Sequence, residues 1–170
     1  MLTAPIGEVR QESRQAAGVR AIMGRILPKT DLVAGIKAIC REHNIKNGTI
    51  VSCIGSLNYA RFVWALPDPL LKTGLKYGEP VVVAGPVEFI AAQGTIGTLK
   101  DDLSIHMHIV ITDDKGTTWS GHICDEGNPV CVTIEIVILT FEGLEIVREL
   151  DTESGMTLFG VLPADGREIK

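Results

Sequence analysis

The sequence predicts an α+β domain in which a mainly antiparallel β-sheet packs against one principal helix. Apolar residues recur at helical spacing in a single segment, which covers about residues 31–43, whereas most other segments are rich in β-branched and aromatic residues. Strands and helices also fail to alternate along the chain, as they would in a parallel βαβ architecture. Together these observations favour an antiparallel sheet with one packed helix.

The composition fits a single domain. The chain has 170 residues, of which 45% are hydrophobic and 22% charged, and no shift in composition divides it. Residues 1–18 are polar with mixed charge, which predicts a poorly packed N-terminal arm. Residues 19–165 are expected to form the domain itself.

The first elements follow from local signals. Residues 19–27 predict a strand that Pro28 closes, and Asp31 is placed to cap a helix beginning at Leu32. The segment from Thr49 to Leu66 predicts two strand segments joined by a bulge or bend at Gly55 and Ser56. The remaining elements are expected to be a long loop over 67–80, strands over 81–84 and 86–97, a hairpin over 104–123, strands over 130–141 and 144–150, and a mostly irregular tail.

Charge and cysteine usage limit the classes of protein. The net charge of −5 and the isoelectric point near 5.4 are opposite to the basic surface of a strong nucleic-acid binder. The N-terminus has no secretory h-region, and no apolar run approaches the length of a membrane helix, so no membrane partner is expected. The cysteines lack paired C-x-x-C spacing, which indicates reduced thiols in a cytoplasm: Cys40, Cys53, Cys124 and Cys131.

The segment SIHMHIVITDDKGTTWSGHI contains three of the four histidines of the chain. Side chains alternate along a strand, so His106 and His108 share one face while the intervening isoleucines and Met107 face the core. The turn Asp113-Asp114-Lys115-Gly116 suits a three-residue hairpin loop with glycine in the left-handed position. This loop sets His108 opposite His122 and His106 opposite Cys124.

The same register places Trp119 on the core face and His122 on the polar face, whereas a one-residue slip would reverse both. His106, His108 and His122 therefore converge on one patch. Three neutral imidazoles with an open coordination position are the ligand set of water-activating zinc sites, although nickel, copper and iron also accept imidazole. The alternative is that the histidines are merely polar residues lining a half-exposed strand.

A catalytic metal site usually also needs a proton carrier. Glu88 and Glu135 could lie near the histidines, or could face solvent or pair with an arginine. Cys124 is either a fourth ligand or a small buried thiol, and Ser56 beside Gly55 is either functional or part of a turn. No H-E-x-x-H, G-x-S-x-G or phosphate-binding loop is present.

The order of several segments resembles the PPC family, the plants-and-prokaryotes conserved domain, in its stand-alone bacterial or archaeal form. The resemblance covers about residues 20–160. It rests on these segments in order: GRILPKTDLVAGIKAICREHNI, VSCIGSLNYARF, GPVEFIAAQGTIG, SIHMHIVITDDKGTTWSGHI, VTIEIVIL and VRELDTESGMTLF.

The resemblance implies a compact α+β domain that assembles as a homotrimer and holds a metal on residues matching His106, His108 and His122. It also implies a DNA-binding or transcription-associated regulatory role, although this chain has no R-G-R-P AT-hook core. We therefore expect a trimeric metal-binding regulatory domain, most simply with zinc, that associates with DNA or with DNA-bound proteins. The alternative is a metal-dependent hydrolase or lyase that uses metal-activated water on a small-molecule ligand; we favour the non-enzymatic function.

Overall fold

The computed structural model describes residues 10–164. Residues 1–9 of the predicted arm, and residue 165 at the predicted end of the domain, lie outside them. Residues 10–17 form no regular secondary structure. One helix and ten strands follow: β1 Gly18–Ile26, α1 Leu32–Glu42, β2 Gly48–Val63, β3 Ala65–Pro67, β4 Leu75–Tyr77, β5 Val81–Leu99, β6 Asp102–Thr112, β7 Thr118–Ile123, β8 Val130–Glu142, β9 Leu144–Leu150 and β10 Thr157–Pro163.

Eight of the strands form one sheet in the order β1-β8-β2-β7-β6-β5-β9-β10. Strand pairs are antiparallel except for one parallel contact, Thr98 of β5 with Val147 of β9. Because β2 also pairs with β5, strands β2, β5, β6 and β7 close into a ring. The predicted α+β class with a mainly antiparallel sheet is confirmed.

The predicted helix is confirmed together with its cap. Asp31 Oδ1 accepts hydrogen bonds from the backbone N–H groups of Val33 (3.0 Å) and Ala34 (3.2 Å). Its other oxygen accepts from the backbone of Gly127 (3.1 Å) and Asn128 (2.9 Å), just before β8. One side chain therefore starts the helix and ties it to the sheet, which the local sequence does not predict.

Four predictions for the strands and loops are wrong in detail. The two segments expected over 49–66 form one strand, β2, which continues through register shifts on either side of Gly55. The predicted strands over 81–84 and 86–97 likewise form the single strand β5. The bulge predicted at Gly55 and Ser56 is confirmed, but it does not divide the strand, because a bulge bends a long strand without ending it.

The other differences are strands that pair with the strand just before them in the chain. Within the predicted loop over 67–80, β4 pairs with β3 as a small separate hairpin. Within the predicted irregular tail, β10 pairs with β9 from Thr157 to Pro163. Neither segment carries strong alternation, so their strand conformation depends on the partner strand.

The core lies between the helix and the inward faces of the sheet. Leu32, Val33 and Ile36 of α1 are buried, and the helix approaches β1 closely at Gly35. A Cβ at Gly35 would meet a side-chain carbon of Ile26 at 2.6 Å. The packed ring and helix give the histidine hairpin a rigid support.

Candidate metal centre

The histidine hairpin turns through the predicted three-residue loop. The backbone N–H of Asp113 donates to the carbonyl of Thr117 (3.0 Å), and Gly116 takes the left-handed conformation with φ of 78°. The Asp113 carboxylate accepts from the backbone of Lys115 and Thr117 and from Trp119 Nε1 (3.0 Å). One aspartate therefore holds both the turn and the tryptophan that defines the register.

The predicted register is confirmed where it matters for the cluster. His108 of β6 lies opposite His122 of β7, and residues 105, 107, 109 and 111 are buried as expected. The predicted pairing of His106 with Cys124 is wrong. Strand β7 ends at Ile123, and the Cys124 N–H instead donates to the Arg61 carbonyl of β2 (3.0 Å), which continues the pairing of Ile123 with Phe62.

The structure brings the three predicted histidines together. Nε2 of His106 and Nε2 of His108 lie 2.9 Å apart. The ring centroid of His106 is 4.8 Å from that of His122, and the His108 and His122 centroids are 5.4 Å apart. One ring nitrogen from each residue lies within 4.8 Å of the other two, as a shared metal ion requires. Among residues 10–164 no aspartate, glutamate or cysteine joins this group.

Neighbouring strands fix where each histidine projects. His106 pairs with Thr95 of β5, and His108 lies between Gln93 of β5 and His122 of β7. His122 in turn pairs with Val63 at the end of β2. The backbone at His108 and His122 is therefore held by a neighbouring strand on both sides, and the backbone at His106 by β5 on one side.

The surroundings favour neutral imidazoles. Burial is the largest cause that lowers the pKa of His122, from 6.5 to about 4. Positive charge on His106, His108 and Arg148 adds to this effect, whereas Asp125 opposes it. Burial, followed by His108 and Arg148, also lowers the pKa of His106. Metal ions bind imidazole in its neutral form, so these pKa values suit a metal site.

A buried nitrogen without a partner is a second observation that suits a divalent metal at the three histidines. His122 Nδ1 is buried and has no hydrogen-bond partner among the described residues. Buried polar atoms normally have a partner, and one left without needs a reason. The close approach of the His106 and His108 nitrogens is likewise favourable only with a shared proton or a shared cation between them. His106, His108 and His122 could hold one ion and leave a coordination position open.

Three side chains that the sequence does not single out border the cluster. The Phe159 ring of β10 stacks near His106, with centroids 6.5 Å apart, and Arg148 of β9 lies over Phe159, 5.4 Å from its centroid. Tyr77 of β4 lies beside His122 at a centroid distance of 5.2 Å. Tyr77 and Phe159 contact histidines that lie far from them in the chain, and Arg148 joins them through Phe159.

The other candidate residues have structural surroundings. Ser56 Oγ accepts from the backbone of Val132 (3.2 Å) at the β2 bulge. Cys124 is half-buried, and burial raises the pKa of its thiol. Glu88 and Glu135 are exposed, and neither belongs to the histidine group.

The histidines open onto an apolar cleft. His108 and His122 line a cavity of about 530 Å³ where Val51–Ile54 of β2 separate from residues 91–93 of β5. Trp64 and Tyr77 form part of its wall. A small molecule in this cleft would reach the exposed edge of the histidine cluster. No helix among the described residues is long and apolar enough to cross a membrane.

A sequence profile of the Plants and Prokaryotes Conserved (PCC) domain matches residues 13–142. The chain belongs to the PCC family. This is the family, also written PPC, that the ordered motifs predicted. The bifunctional protein GlmU of Synechococcus sp. strain JA-2-3B'a(2-13) is 27% identical over 144 residues, which are 84% of this chain and 20% of GlmU. The chain therefore spans about a fifth of the length of that curated relative.

Solved structures share the PCC fold. A hypothetical protein from Salmonella enterica superposes with a TM-score of 0.75 at 22% identity, over 89% of this chain and 99% of that one. A metal-containing protein from Archaeoglobus fulgidus gives 0.70 at 20% identity, over 89% and 99%. A protein from Bacteroides thetaiotaomicron, provisionally named as DNA-binding, gives 0.66 at 20% identity, over 82% and 91%.

Proposed function

We propose that this PCC-domain protein binds one divalent metal ion through His106, His108 and His122. The observation that carries the proposal is the convergence of three imidazoles, with ring nitrogens within 4.8 Å of one another on a rigid hairpin. The lowered pKa values of His106 and His122 add support, because neutral rings are ready to bind a cation.

Zinc is the metal we expect first. Three imidazoles with Zn–N distances of about 2.0 to 2.1 Å and an open fourth position are a common zinc arrangement. The three histidines of this hairpin and one further ligand would complete a tetrahedral site. The bound ion would supply a Lewis acid at the edge of the cleft. The relative from Archaeoglobus fulgidus that is described as metal-containing has the same fold.

Titration calorimetry of chelator-treated protein with Zn²⁺ tests the proposal. Wild type should bind one ion per chain, whereas His106→Ala and His122→Ala should bind at least about tenfold more weakly. His43→Ala is the matched control, because His43 follows the helix and is the one histidine outside the cluster. Equal affinity in all four proteins would show that the ion binds elsewhere.

The proposal extends to a homotrimeric regulatory domain that associates with DNA or with DNA-bound proteins. Two solved structures with this fold, which are provisionally described as DNA-binding proteins, support the regulatory role. Exposed apolar side chains near the cleft, including Val51, Ile54 and Val110, offer surface for contacts between subunits. Sedimentation equilibrium should give a mass of three chains, and a monomer at micromolar concentration would contradict the trimer.

Direct DNA binding is tested by mobility shifts at about 50 and 200 mM salt, over which phosphate contacts weaken strongly. We expect association through a local patch or a partner, because the net charge is −5. If the metal-bound trimer gives no mobility shift at low salt, direct DNA binding is contradicted, and regulation through a protein partner is the function that remains.

The second candidate function is a metal-dependent hydrolase or lyase. The cleft of about 530 Å³ beside His108 and His122 favours it, because a small molecule could reach the ion. The lack of a carboxylate in the described histidine group weighs against it, since proton transfer usually needs such a partner. Turnover of small esters or lactones that His122→Ala abolishes would establish the enzyme.

Residues 19–165 are the proposed domain unit, and a cytoplasm is the proposed compartment. Four unpaired cysteines suit a reducing environment. Limited proteolysis should remove the arm before it cuts the domain, and early cleavage inside the domain would contradict this boundary.

A further inference from the structure

Arg148 lies beside the histidine cluster in an unusual setting. Its guanidinium is held by two protein acceptors: Nη1 donates to Ser104 Oγ and Nε donates to the Thr157 carbonyl, both at 3.3 Å. The group also lies over the Phe159 ring, 5.4 Å from its centroid. Arg148 is half-buried, so these contacts fix its head group at the sheet surface.

The same contacts connect Arg148 to the metal ligands. Ser104 precedes His106 by two residues on β6, so the two side chains share a face of the strand. Phe159 lies near both Arg148 and His106, and its ring is nearly parallel to that of His106, at an interplanar angle of 19°. Gly97 lies opposite Ser104, and a Cβ there would collide with the Ile146 carbonyl oxygen and come within 2.6 Å of the Phe159 ring. The missing side chain at Gly97 therefore leaves room for Phe159 beside the arginine and the histidine.

No acidic side chain of the described residues balances the charge of Arg148. Among residues 10–164, no aspartate or glutamate oxygen lies within 4.0 Å of its guanidinium. Its Nη2 atom has no hydrogen-bond acceptor within the same described range. Arg148 is half-buried, and a charge withdrawn from water favours an anionic partner. A divalent ion on the histidines would add positive charge nearby and increase the need for one.

We propose that Arg148 is an anion-binding residue of the three-histidine site and that the site takes a small oxyanion, a carboxylate or a phosphate. The proposal rests on the metal site proposed above and names the class of ligand that this site takes. The planar guanidinium provides paired donors that match either oxyanion. Ser104 and Phe159 position the guanidinium, and its free Nη2 is the donor offered to the ligand.

Calorimetry of the zinc-loaded protein tests the proposal with three probes: succinate, acetate and inorganic phosphate. Arg148→Met keeps the apolar stem but removes the charge, and Arg148→Lys keeps the charge but removes the paired donors. Arg25→Met is the matched control, because Arg25, like Arg148, donates to a side-chain hydroxyl, in this case Thr133 Oγ1 at 2.9 Å, on a strand outside the cluster.

Wild type and the control should bind at least one oxyanion, and Arg148→Met should bind it at least about tenfold more weakly. Arg148→Lys should retain part of the affinity. Comparison of the carboxylates with phosphate distinguishes the two ligand sources. Zinc affinity, measured for each variant, separates the two proposals: failure to bind zinc contradicts the metal site, whereas normal zinc binding with oxyanion affinity unchanged by either Arg148 variant overturns the role of Arg148.

Discussion

The metal-free protein should lose stability as the pH falls from 7 to 5, because His122 is neutral in the folded state. Burial and nearby positive charge lower its pKa from 6.5 to about 4. Between these values the unfolded chain binds more protons than the folded protein, so protons favour unfolding and stability falls with pH. The stability that neutral His122 allows is complete above about pH 6.5 and is lost as the pH approaches 4.

The size of the effect follows from the shift. One pKa unit corresponds to about 1.4 kcal/mol, so the full shift would lower the free energy of unfolding by about 2 kcal/mol between pH 7 and 5. His122 retains contact with solvent, which screens its charge, so we expect about 1 kcal/mol. The window ends at pH 5 because Asp68, Asp113 and Asp151, whose pKa values are lowered, lose their contribution at lower pH.

Urea unfolding of chelator-treated protein at pH 7, 6 and 5 measures this effect. His122→Gln removes the titrating ring but keeps a polar side chain of similar size. Between pH 7 and 5 its free energy of unfolding should therefore fall by about 1 kcal/mol less than that of wild type. His43→Gln is the control and should follow wild type. The reasoning is refuted if wild type and His122→Gln lose the same free energy over this range.

Three further substitutions test how the fold holds the site. Gly97→Ala should destabilise the protein by about 1–3 kcal/mol, because its Cβ would collide with the Ile146 carbonyl oxygen and come within 2.6 Å of Phe159; weaker zinc binding in calorimetry should accompany the loss. Asp31→Ala removes four backbone hydrogen bonds of one carboxylate, and its urea midpoint should show a loss of about 2 kcal/mol; an unchanged midpoint would contradict the capping role. Asp113→Ala should cost about 1–2 kcal/mol and shift the fluorescence of Trp119, which donates to that carboxylate at 3.0 Å.

The sequence predicts the histidine cluster because its determinants are local. The alternation of apolar residues fixes which face of β6 is buried, and Gly116 in a three-residue loop fixes the pairing of His108 with His122. The prediction fails two residues later, at Cys124, because β7 ends at Ile123 and the Cys124 N–H bonds to β2. Local rules predict the register within a hairpin, but they do not predict where pairing with a third strand ends that register.

The surroundings of the cluster could not be predicted in this way. Arg148 and Phe159 reach His106 through the pairing of β9 with β10 and through one parallel contact between β5 and β9. Tyr77 reaches His122 because β4 pairs with β3. These contacts join segments far apart in the chain, and no local periodicity reports them.

Anomalous diffraction at the zinc absorption edge, from crystals of zinc-loaded protein, tests the metal site most directly. The account predicts one strong peak at about 2.0 to 2.1 Å from a ring nitrogen of each of His106, His108 and His122. A map with no peak among these three rings, or with its strong peak elsewhere on the chain, would contradict it.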